Sequence, residues 1–565
     1  MLPIVSGEAR TLGETRTRLA TWLPRLILLA AGAYFVVMAG RWIASPGLEY
    51  DELLFVNAAT GEPTNGMFVR RRILGVPLLI NGYTGALKAY LYYPIFQIFG
   101  VSPQTVRWPV ILASLITLGL TYRVARFSFG RPVSAMVVLV MSVDPAFIYI
   151  SKFDYGPVVL MMILKLTALL FALRAVSTGS SRYLWGMVAA CALGVFDKLN
   201  FFWFLFALAA AGGILFRTEL REMWQRDRAR LARPLTMLAL IGLATLVRSL
   251  HVAAGWDKAL SFTPLERLRF VTNLYASTMN GQLLYLWMTK RTLVAESLMN
   301  PSLTLCVAGM VVASLRAARR AGGVERMPFQ ARVLLCHLLI FILIAVQILL
   351  TTMAYGPHHI MVLYPFQLFV TFGGVAGVAG MFGTVAGTLS TAVIAAVLVA
   401  SGLNVGAAYD RNFRPTAEFT PHWSPVIYQL VDFLNQHPAE RITSVDWGLH
   451  NQIWALGSSR TRAVARDRWF QFRWLGDLSV QERNDLLRDF EGVRGLAITY
   501  GPDGDGFNNF GTKPNFLKWC AALGIVPKLE RVFTSPAGTV IYEVYSVDGS
   551  RTSTSHSATS PESLK

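Results

Sequence analysis

Apolar runs long enough to cross a bilayer punctuate this chain, and no other feature constrains its fold as much. A helix rises about 1.5 Å per residue and a bilayer core is about 30 Å thick, so roughly 20 apolar residues read as one span. Such runs occur at about 22–43, 107–127, 131–150, 156–176, 183–198, 201–216, 234–253, 298–315, 332–353, 359–377 and 383–407. They predict a polytopic α-helical membrane protein with about 11 transmembrane helices. Composition agrees: 54% of the 565 residues are hydrophobic and 15% charged, whereas soluble domains carry about 25% charge.

The arginines orient the spans. Arg10, Arg16, Arg18 and Arg25 precede the first. Arg123, Arg126 and Arg131 bracket the second and third, and Arg174 and Arg182 the fourth and fifth. The link "RTELREMWQRDRARLAR" (217–233) holds six, and Arg316, Arg319, Arg320, Arg326 and Arg332 fill the next. With alternating spans all of these share one side, which the positive-inside rule makes the cytoplasm. The net charge of +19 therefore reflects membrane topology and not a nucleic-acid partner. Segments 44–106, 254–297 and everything after about 408 fall on the other side. This predicts a multi-pass protein of the cell (inner) membrane with a cytoplasmic N-terminus and a periplasmic C-terminal region. The first run lacks a small-residue cleavage site and reads as a retained helix. Cys191, Cys306 and Cys336 lie in or beside apolar runs and only Cys520 in a polar region, so no intrachain disulfide framework is expected.

After about 408 the periodicity changes. "PVIYQLVDFLNQ" (425–436), "SVQERNDLLRDFEG" (479–492) and "NFLKWCAALG" (515–524) read as helices. "RITSVDW" (441–447), "GLAITY" (495–500), "KLERVFT" and "TVIYEVYSV" read as strands. The chain thus divides into a membrane domain (1–407) with a long first outer loop (44–106), a C-terminal extracytoplasmic α/β domain (408–547) and a polar, disordered tail (548–565).

The chemistry concentrates at the outer rim. "GLEYDELLFVN" (47–57) places Asp51 and Glu52 just past the first span, at the head of a loop of about sixty residues that stays rich in aromatics and prolines. The next outer turn, "ISKFDYGPVVL" (150–160), carries Asp154, which can cap a helix and still face a cavity. Two carboxylates from separate loops at one depth can hold a divalent cation, or one of them can take a proton from a nucleophile. A lipid phosphate there needs cations. Lys88, Lys152, Lys198 in "FDKLNFF" and Arg248 are candidates, whereas Arg70, Arg71 and Arg72 suit anionic headgroups. Lys198 is equally consistent with a snorkelling pair with Asp197.

In this order the motifs resemble the C-type glycosyltransferases, on the protein O-mannosyltransferase and lipid A aminoarabinose-transferase side. The resemblance covers roughly 22–410. It rests on "YDELLFVNAATG", "YTGALKAYLYYPIFQIFGVSPQTVRWP" (83–109), "SKFDYGP" (151–157), "ALGVFDKLNFFW" (192–203) and "YGPHHIMVLYPF" (355–366). Two registers of the second motif place Lys88 differently. The resemblance implies Asp51 as general base or acceptor-orienting group, supported by Glu52, with Asp154 helping to bind the acceptor or a divalent cation (Mg or Mn) shared with Asp51. It implies Lys198, His358 and His359 as contacts for a polyprenyl-phosphate-linked sugar. The acceptor is an extracytoplasmic protein, lipid A or glycan, and the sugar is transferred with inversion. A flippase for lipid-linked sugars, or a non-catalytic membrane scaffold, would share the spans, but transporters gather polar groups near the midplane, and here the carboxylates cluster at one face.

Overall fold

The computed structural model describes residues 6–62, 71–254, 262–293, 295–351, 354, 356–502 and 511–549. Arg70 and the tail beyond 549 lie outside them. Among the described residues seven helices are long and apolar enough to cross a membrane, from Trp22–Gly40 to Val385–Asn412, and ten if each of three bent pairs counts as one span. That corrects the expected eleven. The segment missing from the set is Arg182–Asp197, whose 16 residues rise only about 24 Å, short of a bilayer core.

Two of the three bent pairs have local causes in the sequence. Arg131–Val143 and Pro145–Phe153 meet at 60° because Asp144 stops one helix and caps the next, its Oδ1 accepting from the Ala146 amide at 2.9 Å, with Pro145 at the first helical position. Pro357–Leu363 and Phe366–Phe382 bend by 42° around Pro365, which cannot donate a ladder hydrogen bond. Carbonyls freed near that break are taken up by a buried cation: Lys165 Nζ donates to Val362 O at 2.7 Å and to Tyr364 O.

The bundle's two ends can be told apart. Arg316 reaches Met381, beside the start of the last long helix, Thr384–Asn412. At the other end of that helix Asp410 binds Arg41 Nε at 2.9 Å and accepts from Trp42 Nε1 at 3.1 Å, so the last span and the first, which ends at Gly40, finish together. The rest of the chain is built on this end.

Directly above lies the helix Tyr50–Ala59, eight of whose ten residues are buried. Glu52 grips Arg107, with Arg107 Nε and Nη2 donating to the carboxylate at 2.9 and 2.7 Å. The same guanidinium donates to the carbonyls of Ile43 and Pro46 at 2.7 Å and of Gly47 at 3.1 Å. Both side chains are buried, so the pair is fully desolvated. The helix Leu87–Phe99 then runs along the rim. Lys88, Tyr92 and Phe96 share its buried face at i, i+4 and i+8, while Leu91, Ile98 and Phe99 remain exposed.

The C-terminal region forms a mixed five-stranded sheet. Its strands are β1 (Arg441–Ser444), β2 (Ala465–Asp467), β3 (Arg494–Tyr500), β4 (Lys528–Thr534) and β5 (Val540–Asp548), in the order β2-β1-β3-β5-β4. β1 pairs parallel with β2 and β3, and β5 antiparallel with β3 and β4. Parallel neighbours need crossovers, supplied here by Leu449–Leu456, Ser459–Val464 and Val480–Leu487. The sequence pattern shows the last of these but not the first two, nor β2. The unit docks on the acid-bearing segment: Gln452 Nε2 donates to Leu48 O at 2.7 Å, Asn57 Nδ2 to Asn451 O at 3.2 Å, and Tyr50 packs on Trp447 at 4.4 Å between ring centroids.

Breaking one side of a buried ion pair strands the other charge and costs about 3–5 kcal/mol. Arg107→Gln and Glu52→Gln should each lower the unfolding free energy by about that much, and the double substitution by less than the sum. Equilibrium unfolding in mixed micelles measures this, and single-variant losses below about 1 kcal/mol would contradict the assignment.

Candidate active site

Three neighbouring acids take three different jobs. Glu49 caps the helix Tyr50–Ala59, accepting from the Asp51 amide at 2.7 Å, and is 4% exposed; Glu52 is 1% exposed and locked on Arg107. Asp51 alone of the three is only half-buried. The Tyr155 hydroxyl donates to its carboxylate, and Lys198 and Lys88 lie close enough to bias its charge. Burial nonetheless raises Asp51 above the ordinary aspartate range, because desolvation outweighs the hydroxyl and the two cations.

Asp154 comes from the turn between two bundle helices, in the left-handed conformation at φ 44°. Its Oδ1 accepts from the Val159 amide at 2.8 Å, capping the following helix, and its Oδ2 lies 2.7 Å from Lys88 Nζ, both side chains being buried. The adjoining residues complete the pocket floor. Tyr155 reaches Asp51, and the Gly156 carbonyl accepts from Lys198 Nζ at 2.8 Å. Gly156 has φ +70°, and a Cβ there would sit about 3 Å from both Lys198 Nζ and the His358 ring, so only glycine permits this approach.

Lys198 is delivered by a short antiparallel contact between the first loop and the Asp197–Asn200 turn. The Gly85 amide donates to Asp197 O at 3.0 Å, the Leu199 amide to Tyr83 O at 2.9 Å, and Thr84 bridges to Lys198. A Cβ on Gly85 would lie 1.8 Å from the Phe196 carbonyl oxygen, so the two backbones touch. Burial lowers the Lys198 ammonium to about 8, although Asp51, Asp197 and Asp154 oppose the shift. His358 packs on Tyr155 at 5.3 Å and on His359 at 4.0 Å between ring centroids, and both histidines are half-buried.

The fold therefore gathers Asp51, Lys88, Asp154, Lys198, His358 and His359 in one place. Three other residues singled out in the sequence lie differently. Lys152 Nζ donates to Arg41 O, Trp42 O and Ser45 O at 2.8–3.1 Å, closing the end of the first helix. Glu52 faces Arg107. Arg248 donates to Gly82 O at 2.8 and 3.0 Å, holding the first loop from outside. As for a metal, no group of three or more His, Cys, Asp or Glu suited to an ion occurs among the described residues, and Asp154 meets an ammonium instead.

The structure adds roles that the sequence does not show, for Tyr155 and Arg267 and for Asp197, read above only as a partner of Lys198. Tyr155 orients Asp51. Asp197 is buried among Asp154, Lys198 and Lys88, with neither carboxylate oxygen hydrogen-bonded among the described residues. Arg267, buried beside His359, donates to the carbonyls of Leu349 at 3.2 Å and Ile348 at 3.0 Å. The sequence offers no signal for Arg267 beyond its place in 254–297, since its burial within the helix Pro264–Met279 comes from packing; Tyr155 was visible only as a neighbour of Asp154.

Comparison with known proteins places this arrangement. Residues 86–252 match the family "Dolichyl-phosphate-mannose-protein mannosyltransferase", a stretch that includes Lys88, Asp154 and Lys198 but not Asp51. No curated protein sequence matches the chain. Among solved structures, apo ArnT from Cupriavidus metallidurans aligns with TM-score 0.51 at 14% identity over 93% of this chain and 98% of that one. The same protein bound to undecaprenyl phosphate aligns with TM-score 0.50 at 13% identity and the same coverage. At such identities the likeness is one of fold. Family match and fold agree with the resemblance carried by the motifs: residues 86–252 are similar to the protein mannosyltransferase family, and the chain shares the fold of ArnT.

Proposed function

We propose that the chain is an integral membrane glycosyltransferase that moves a sugar from a polyprenyl-phosphate donor to an acceptor on the extracytoplasmic face, with inversion. One observation carries this reading: an accessible carboxylate, Asp51, is held by Tyr155 next to two buried ammonium groups, Lys88 and Lys198. That is a base beside a phosphate site. The ArnT structure of the same fold holds undecaprenyl phosphate, a ligand of the same chemical class.

In the proposed step the acceptor hydroxyl oxygen attacks the anomeric carbon while the bond from that carbon to the phosphate oxygen breaks. Asp51 takes the hydroxyl proton, and the polyprenyl phosphate leaves with the bonding pair, its negative charge met by Lys198 and His359. The phosphate is already a good leaving group, so no strong acid is needed. Asp154 holds Lys88 in place, and Asp197, with no donor among the described residues, accepts from sugar hydroxyls. A divalent cation at Asp51 and Asp154 would have to displace Lys88 from a 2.7 Å contact; we assign that position to the lysine.

Asp51→Asn should reduce sugar transfer from a polyprenyl-phosphate sugar by at least about 100-fold, within the usual reach of a general base, with folding intact by thermal melt. The assay is run in detergent, where there are no two sides to transport between; wild-type protein that neither transfers nor hydrolyses the donor there would overturn the enzyme reading. Chelation with EDTA should leave the rate unchanged, and restoration by added Mg or Mn after its loss would return the metal to the site.

The pH profile follows from the shifts. Asp51 must be ionised to accept a proton, so kcat/KM rises with pH through its elevated pKa. Lys198 must be charged to hold phosphate, so kcat/KM falls again as pH passes about 8. Lys198→Arg should push the alkaline limb upward by more than about one unit, since arginine stays charged; an unmoved limb would remove Lys198 from the phosphate site.

A further inference from the structure

A second cationic site lies away from the carboxylates, at the same end of the bundle. A cavity of about 320 Å³ opens between the helix Gln282–Thr289 and the end of the last span, with Arg291, Arg411 and Arg414 around it, Asn412 and Thr416 beside them and Tyr285 on its wall. All three arginines are exposed, and none makes an ion pair among the described residues. Glu418 also borders the cavity, but its Oε1 accepts from the Ala537 amide at 3.1 Å. The cavity therefore keeps a clear positive excess.

Position argues for the source of an anion. Asn412 closes a candidate span, Val385–Asn412, so the cavity sits where a bilayer places its headgroup phosphates. Orientation does not require these charges, because the arginines that orient the bundle lie at its opposite end, where Arg316 meets Met381. The last helix also offers a wall for acyl chains. Val393, Val397, Ala400, Asn404 and Ala407 are exposed at spacings that keep one helix face, apolar except for Asn404, and Arg411 is the next residue on that face. A mainly apolar stripe ending in unpaired guanidinium groups matches the two parts of a phospholipid. Guanidinium also pairs with phosphate oxygens two at a time, which an ammonium cannot do.

We propose that the cavity formed by Arg291, Arg411 and Arg414 binds the phosphate headgroup of an anionic membrane lipid whose acyl chains lie along the last span. This site is separate from the one at Asp51 and does not depend on the activity proposed above. The tail of helix Gln282–Thr289 links the two: Trp287 packs on Tyr155 at 5.9 Å between ring centroids, whereas Tyr285 and Thr289 face the arginines. Lipid in the cavity therefore braces one wall of the Asp51 pocket.

The test uses the full chain purified in detergent and offered equal amounts of dioleoyl phosphatidylglycerol and dioleoyl phosphatidylcholine, with retained lipid counted by native mass spectrometry. Wild-type protein should retain the anionic lipid in preference. Arg411→Gln combined with Arg414→Gln, and Arg291→Gln alone, should reduce that preference at least about fivefold, of the order expected for losing charge-assisted contacts. Arg319→Gln with Arg320→Gln, exposed at the opposite end, should leave it intact. An unchanged preference in the Arg411/Arg414 variant, an equal loss in the control, or equal retention of both lipids would each overturn the proposal. Calorimetry with inorganic phosphate on the delipidated chain separates the sources: binding as tight as that of the lipid would make this a free-phosphate site, which also overturns it.

Discussion

The contact between Glu52 and Arg107 holds the rest in place. One guanidinium grips a carboxylate on the helix Tyr50–Ala59 and three carbonyls of the segment that leaves the first span. With water excluded from both partners, the geometry has little freedom, since any lapse leaves a bare charge in a medium of low dielectric. Asp51 is the residue before Glu52. Fixing Glu52 inward turns Asp51 outward, toward Tyr155 and the pocket, and the C-terminal sheet then closes over the same helix.

The pocket balances charges that would each be unfavourable alone. Lys88 and Lys198 are buried ammonium groups; Asp154 faces the first and the Gly156 carbonyl the second. Asp197 lies among them without a hydrogen-bond partner among the described residues. A folded protein tolerates such an arrangement where a ligand is to complete it, because unpaired buried charge costs stability and returns it on binding. Desolvation also explains the direction of the shifts at Asp51 and Lys198: each moves toward its neutral form, which brings a carboxylate and an ammonium closer to the pH range in which protons are exchanged.

Breaks in the helices do related work. Asp144 and Pro365 interrupt runs that read as continuous spans, the Asp197–Asn200 turn joins two runs, and at two of these three points a lysine meets backbone carbonyls: Lys165 at Val362, and Lys198 at Gly156. Hydrocarbon forbids unpaired backbone, so each interruption carries its own polar partner. This is why lysines occur inside apolar stretches of the sequence without implying an aqueous channel.

Much of this was legible in the residues. The apolar runs predict a helical membrane bundle, which the membrane-length helices bear out, and the arginine links predict which connections share a face. The order of "YDELL", "SKFDYGP" and "FDKLN" pointed to the relatives that family match and fold now support. Those signals are local: length, composition and short motifs act within one element. What stayed hidden depends on distant partners. Glu52 reads as a second catalytic acid until Arg107, 55 residues away, claims it, and Lys152 reads as a phosphate ligand until it caps the first helix. The sixteen-residue helix Arg182–Asp197 reads as a span by composition, although its length falls short of a bilayer core. The roles of Tyr155 and Asp197, and the arginine cavity, became visible only when separate segments met, because burial, pairing and the direction of a side chain are properties of the packed chain and not of the residue that carries them.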